Sequence, residues 1–115
     1  MKMMYMSSYF KYEVILIKYP FTDLTVFKVR PAVIVNSDFI SDDLFIVPLT
    51  SRTIKLQSGE FILSEWKEVG LNVQTAVKRG IFTIDVKLVI KKVAKLKARD
   101  IEKLENSLRF WLDLY

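Results

Sequence analysis

Apolar residues in this chain come in short runs, each cut off by proline, glycine or polar turn residues, until the last stretch, where they recur at helical spacing. That alternation constrains the fold more than any other feature. Val14–Ile17 and Ala32–Val35 are among the longest apolar runs; both are strand-sized and rich in β-branched residues. None approaches the ~18 residues needed to span a bilayer. With 115 residues, 51% hydrophobic and 27% charged, the chain can bury a core and is too apolar to stay disordered.

Taken in order, Glu13–Tyr19 reads as a strand buried on both faces near its middle, stopped by the turn Pro20-Phe21-Thr22-Asp23. A loop leads to a second strand, Arg30–Asn36, which Arg30 opens, with turn chemistry at Asn36-Ser37-Asp38 and Ser41-Asp42-Asp43. Leu44–Leu49 is the third strand, and Pro48 within it implies an edge or a bulge. Thr53–Gln57 and Glu60–Leu63 suggest a hairpin about Ser58-Gly59. Ser64 is placed to cap one helical turn, Glu65–Val69, ended by Gly70. Val73–Lys78 and Ile81–Asp85 read as strands broken at Arg79-Gly80, and Val86–Leu96 as a short turn and then a strand from Val89. Ile101, Leu104, Leu108, Trp111, Leu112 and Tyr115 define an amphipathic helix, Ala98–Leu114, with Phe110 and Leu114 off its stripe. Lys97 stands where a capping residue would be, and Asp100 suits the helix N-terminus. Short strands followed by one helix favour a small, bent, mainly-β barrel closed by that helix, with one short internal helical turn. The expected division is a flexible extension, residues 1–11, and one domain, residues 12–115. The extension lacks a continuous apolar core and a small-residue cleavage site, so it does not read as a signal peptide.

The chain has no cysteine and no histidine. That removes disulfides, thiol nucleophiles, imidazole bases and the usual zinc sites, and fits a cytoplasmic protein without metal or cofactor. Eighteen Lys and Arg against thirteen Asp and Glu give a net charge of +5, which suits a polyanionic partner. The remaining chemistry lies at strand ends. If the second and third strands are antiparallel neighbours, Arg30 comes near Thr50, Ser51 and Arg52. Guanidinium groups with hydroxyls match a phosphodiester, since the guanidinium fork binds phosphate oxygens and offsets charge growing on phosphorus. RNA asks least of such a site, because its own 2′-hydroxyl is the nucleophile. On the residues alone, Arg30 is as readily a plain surface arginine, Thr50-Ser51 ordinary turn hydroxyls and Lys78-Arg79 a solvated turn.

At these residues the sequence resembles the MazF/PemK toxins of prokaryotic toxin–antitoxin systems. The matching features are Pro20-Phe21-Thr22-Asp23, then Arg30-Pro31-Ala32-Val33-Ile34-Val35, then Val47-Pro48-Leu49-Thr50-Ser51, then Thr83-Ile84-Asp85, a Lys-rich strand and the closing helix. The resemblance implies an SH3-like barrel of the MazF/PemK/CcdB type, usually a homodimer. It also implies a metal-independent endoribonuclease that cuts single-stranded RNA at short motifs, leaving a 2′,3′-cyclic phosphate and a 5′-hydroxyl, and that a cognate antitoxin inhibits. The family's catalytic arginine and threonine fall on Arg30 and Thr50. Thr22 and Lys28, both in the loop Pro20–Val29 before Arg30, join Ser51, Arg52, Lys78 and Arg79 as the expected RNA contacts. Tyr12-Glu13 stand where the family usually has Gly-Asp, and Arg79-Gly80 near its Asp-Gln or Asp-Lys pair. The alternative is a non-catalytic module of the same fold that binds nucleic acid or, like the CcdB toxins, inhibits gyrase.

Overall fold

The computed structural model describes residues 9–20, 27–36 and 42–115. Residues 1–8 of the expected extension, loop segment 21–26 with Thr22, and turn segment 37–41 lie outside them. Three long strands, β1 (Glu13–Pro20), β2 (Phe27–Ile34) and β3 (Asp43–Thr50), are followed by β4 (Phe61–Ile62), α1 (Trp66–Val69), β5 (Ala76–Val77) and β6 (Phe82–Asp85). A 3-10 turn at Val86–Leu88, β7 (Val89–Lys95) and α2 (Ala98–Leu112) complete the described chain. The order in the sheet is β4-β5-β3-β2-β1-β7, with β6 paired to the first half of β3, and every pairing is antiparallel. The expected mainly-β architecture, with its internal helical turn and closing helix, is the one the chain adopts. No helix among the described residues is long and apolar enough to cross a membrane.

The long strands are buried on both faces because alternate residues feed two cores. Val14, Val33, Val47 and Leu49 pack with Leu63, Val69, Val77, Leu96 and Leu104. Their neighbours Ile15, Ile17, Ala32, Ile34 and Ile46 pack with Leu44 and Ile84, and Tyr9 and Val89 cover them. A strand of period two delivers side chains to both faces, so near-continuous apolar runs mark its doubly buried middle. Among the described strands β7 is the outermost on its side, and it exposes Lys91, Lys92 and Lys95. Lys92 pairs with Glu13 of β1 at 3.3 Å.

Several local expectations change. Arg30 does not open its strand: β2 begins at Phe27, and Lys28, Val29 and Arg30 pair with Tyr19, Lys18 and Ile17. The ladder with β1 carries the strand beyond the point where burial stops. Pro48 is neither at an edge nor in a bulge. β3 has neighbours on both sides, and next to Pro48 its partner changes from β6 to β5, so a missing N–H costs little there. Thr53–Gln57 is not a strand, and β4 pairs with β5 instead. Ile54 is 69% exposed. With Ile54 left exposed, side-chain turn chemistry wins: the Gln57 N–H donates to Glu60 Oε1 at 2.8 Å, and the Glu60 N–H to the Gln57 carbonyl at 2.9 Å. The expected Val73–Lys78 strand shortens to Ala76–Val77, because Thr75 Oγ1 donates to the Val73 carbonyl at 2.8 Å and bends the chain before it. Gly70 does end α1, in the left-handed region at φ 105°. Tyr12, where the resemblance expects glycine, also has a positive φ, 71°. Its ring packs on the first core and its hydroxyl donates to Glu105 of α2, contacts that offset the cost of that backbone geometry.

Helix α2 does more than cover the sheet. Leu104 is buried, with Ile101, Leu108 and Trp111 against the first core, whereas Leu112 and Tyr115 are exposed, contrary to the expected stripe. Leu112 is the last helical residue, and Tyr115 lies beyond the point where Asp113, at φ 56°, ends the helix. Two polar residues take part of the face instead. Ser64 does not cap α1; its N–H and that of Glu65 donate to the two carboxylate oxygens of the fully buried Asp100, at 2.9 and 3.1 Å. Ser107 Oγ donates to the Gly59 carbonyl at 2.6 Å, and Trp111 Nε1 to the Ser58 carbonyl at 2.9 Å. Gly59 has φ 87°, and a Cβ on it would lie 2.3 Å from Trp111 Nε1, so only glycine fits this contact. Asp100→Ala strands two backbone donors at once. It is expected to lower unfolding free energy by about 2 kcal/mol in urea denaturation, and Asp100→Asn, which keeps one acceptor, by less.

Candidate active site

The register of β2 on β3 runs Ala32 to Pro48, Val33 to Val47 and Ile34 to Ile46. Continued past the ladder's end, it sets Arg30 across from Thr50. Both sit on the face that carries Ile17, Ala32 and Ile46 of the second core, and these apolar residues floor a groove of about 610 Å³. Arg30, Thr50, Ser51, Arg52 and Lys78 all line it, so five of the eight expected site residues converge. Lys28 is exposed on the same strand outside the lining, Arg79 is exposed and also outside it, and Thr22 is not among the described residues.

Thr50 Oγ1 accepts the Arg52 N–H at 3.0 Å, which fixes the hydroxyl at the turn leaving β3. A hydroxyl has one donor and two lone pairs, so a donor and an acceptor position remain. The described lining carries three cations, Arg30, Arg52 and Lys78, and no carboxylate. A cationic rim over an apolar floor suits phosphate groups at its edge. Among the described residues no three His, Cys, Asp or Glu side chains come together as a metal site would require.

A model of the PemK-like, MazF-like toxins of type II toxin–antitoxin systems matches residues 11–112. The chain belongs to that toxin family. No curated protein sequence matches it. Among solved structures it is similar to an endoribonuclease bound to its cognate antitoxin from a Mycobacterial species, with TM-score 0.74, 14% identity, and 96% of this chain and 98% of that one covered. It is also similar to the Mycobacterium tuberculosis toxin MazF-mt6, with TM-score 0.67, 20% identity, and 88% and 98% covered. A MazE–MazF structure from Deinococcus radiodurans gives TM-score 0.74, 13% identity, and 92% and 97% covered. At these identities the likeness is one of fold.

In this toxin-family chain the groove has further lining that sequence reasoning missed. Tyr19, Asn72 and Thr75 contribute to it. No short motif marks Asn72 and Thr75, which are brought in by the bend before β5. A second groove, of about 340 Å³, shares Thr50, Arg52 and Lys78 with the first and adds Ile54, Lys55, Gln57 and Glu60. Its acidic member is tied at both oxygens, since the Arg79 N–H donates to Glu60 Oε2 at 2.8 Å while Gln57 holds Oε1. Burial pushes the Glu60 pKa up. The N–H donors of Arg79 and Gln57, with the charges of Lys78 and Arg79, outweigh that and hold the carboxyl below its usual value. The spacing Gln57-Ser58-Gly59-Glu60 was the available signal for a side-chain-closed turn. A depressed carboxylate pKa stabilises above the unfolded value and loses that contribution as pH falls through the folded one. Amide protection at Gln57 and Arg79, measured by hydrogen exchange and corrected for intrinsic rates, is therefore expected to fall as the pH drops below the ordinary glutamate range.

Proposed function

We propose that this protein is a metal-independent endoribonuclease toxin that cuts single-stranded RNA at short sequence motifs. The observation that carries the reading is the meeting of Arg30 and Thr50 across one cationic groove, in a chain of the PemK/MazF-like family. In the proposed step the RNA 2′-oxygen attacks the adjacent phosphorus, and the bond from phosphorus to the 5′-oxygen breaks. The proton of the 2′-hydroxyl is released and the leaving 5′-oxygen gains one. The products are a 2′,3′-cyclic phosphate and a 5′-hydroxyl. Arg30 binds the non-bridging oxygens and stabilises the phosphorane, and Thr50 aligns the 2′-hydroxyl or the phosphate through its remaining hydrogen-bonding positions. Ser51, Arg52 and Lys78 hold flanking phosphates, with Thr22, Lys28 and Arg79 as outer contacts.

The reading extends to a homodimer acting in the cytoplasm, silenced by a cognate antitoxin whose segment competes with RNA for the groove. Two of the structural relatives were solved with such a partner, one named with its cognate antitoxin and one as MazE–MazF. The test is cleavage of a long single-stranded RNA in EDTA. Wild type is expected to cut it, and Arg30→Ala to cut at least ~10²-fold more slowly, the scale of losing one oxyanion donor. Undiminished cleavage by Arg30→Ala would remove Arg30 from the mechanism. A requirement for added divalent metal would replace the metal-free scheme. RNA that is bound tightly but left intact would favour the non-catalytic alternative.

A further inference from the structure

The second groove joins the first at Thr50, Arg52 and Lys78 but differs from it chemically. It carries an ionised carboxylate, Glu60, beside an exposed apolar side chain, Ile54, and a partly buried one, Leu56. A carboxylate in a phosphate channel repels the backbone, so this groove is poorly suited to a phosphate alone. A base is different. Ile54 and Leu56 offer a surface to a ring face, Lys55 and Arg52 remain for its phosphate, and Glu60 can accept hydrogen bonds from its edge. A carboxylate has about four lone-pair positions. The Gln57 and Arg79 amides take one on each oxygen, which leaves acceptor capacity on each oxygen of a side chain that lines the groove.

From this arrangement we infer that Glu60 reads a guanine in the RNA next to the scissile phosphate, and so sets part of the cleavage motif. The assignment rests on the ribonuclease reading for its ligand and concerns selectivity, not the chemical step. Two free acceptors side by side match a base edge with two adjacent donors. Guanine has such an edge in N1–H and the 2-amino group. Adenine and cytosine each place a ring acceptor beside their amino group, which would face one carboxylate oxygen lone pair to lone pair. Uracil has a single N–H between two carbonyls and is repelled on both sides. The two amide tethers fix the carboxylate in advance, so little ordering is needed when the base arrives. Arg79-Gly80 gains a role too: through its N–H, Arg79 helps orient the reading group.

The experiment uses short single-stranded RNAs that contain one cleavage site and carry guanosine, inosine, adenosine, cytidine or uridine at one varied position. Inosine lacks the 2-amino group and otherwise keeps the guanine edge. With wild type, one position beside the cut is expected to favour guanosine over inosine by about tenfold in kcat/KM, the scale of a bidentate base contact. In Glu60→Gln that ratio should fall close to one at that position and at no other, a change that general loosening of the loop would not confine to a single base. An unchanged ratio in Glu60→Gln, or no guanosine preference in wild type, overturns the assignment. A second measurement does not depend on cleavage: guanosine, inosine and uridine 5′-monophosphates are titrated against the full-length protein by amide NMR. Shifts at Lys55 and Glu60 should be strongest with the guanosine nucleotide and weakest with the uridine one, and equal shifts with all three count against the inference. Guanosine-selective shifts without any RNA cleavage would instead place the fault in the ribonuclease reading and leave the base site standing.

Discussion

The pairing of β2 with β3 is the constraint on which the rest of the structure depends. Its register decides which side chains of two doubly buried strands meet on each face. Side-chain direction alternates along a strand, so a slip by one residue would turn every side chain of β2 to the opposite face relative to β3. Ala32 and Ile34 would leave the second core, and Arg30 would face the side that carries Val33 and Val47. Burial on both faces makes such a slip costly. The same apolar packing that stabilises the sheet therefore fixes a guanidinium opposite a hydroxyl, with no contact between the two needed to hold them there.

Helix α2 supplies the second constraint, and it acts on the irregular part of the chain. The segment between β3 and β5 has little regular structure and only two short elements, β4 and α1. It keeps its shape because α2 grips it at separate points along one face: Asp100 at the Ser64 and Glu65 amides, Ser107 at the Gly59 carbonyl and Trp111 at the Ser58 carbonyl. Glu60 then links this segment to the turn after β5 through the Arg79 amide. Rigidity in the walls of the second groove thus comes from side chains that satisfy backbone groups.

Much of this was legible in the sequence, and the parts that were not share a cause. β-branched runs located the long strands, and the period of Ile101, Leu104, Leu108 and Trp111 located the helix. The meeting of Arg30 with Thr50, Ser51 and Arg52 followed from reading their strands as antiparallel neighbours. The start of β2 at Phe27 was hidden because Lys28 and Val29 are held by pairing with β1 and not by burial. Leu112 and Tyr115 fit the helical period but fall at and beyond the end of the helix, which periodicity does not announce. Asp100 was visible as a residue suited to a helix start, yet its actual partners lie far back in the chain. Asn72, Thr75 and Glu60 reach the grooves through bends, and no pattern in the sequence reports which way a bend will face.

One feature of the sheet bears on how such a protein can accumulate in a cell. Among the described residues β7 has no strand on its outer side, and an edge of this kind is a template onto which another extended chain can add. Lys91, Lys92 and Lys95 stand along it in the exposed positions. Lys92 is paired with Glu13, but two copies brought edge to edge would set the ammonium groups of Lys91 and Lys95 against their counterparts. An acidic extended segment would meet no such penalty. Lysines along an outermost strand thus disfavour pairing with a like strand more than with an acidic one.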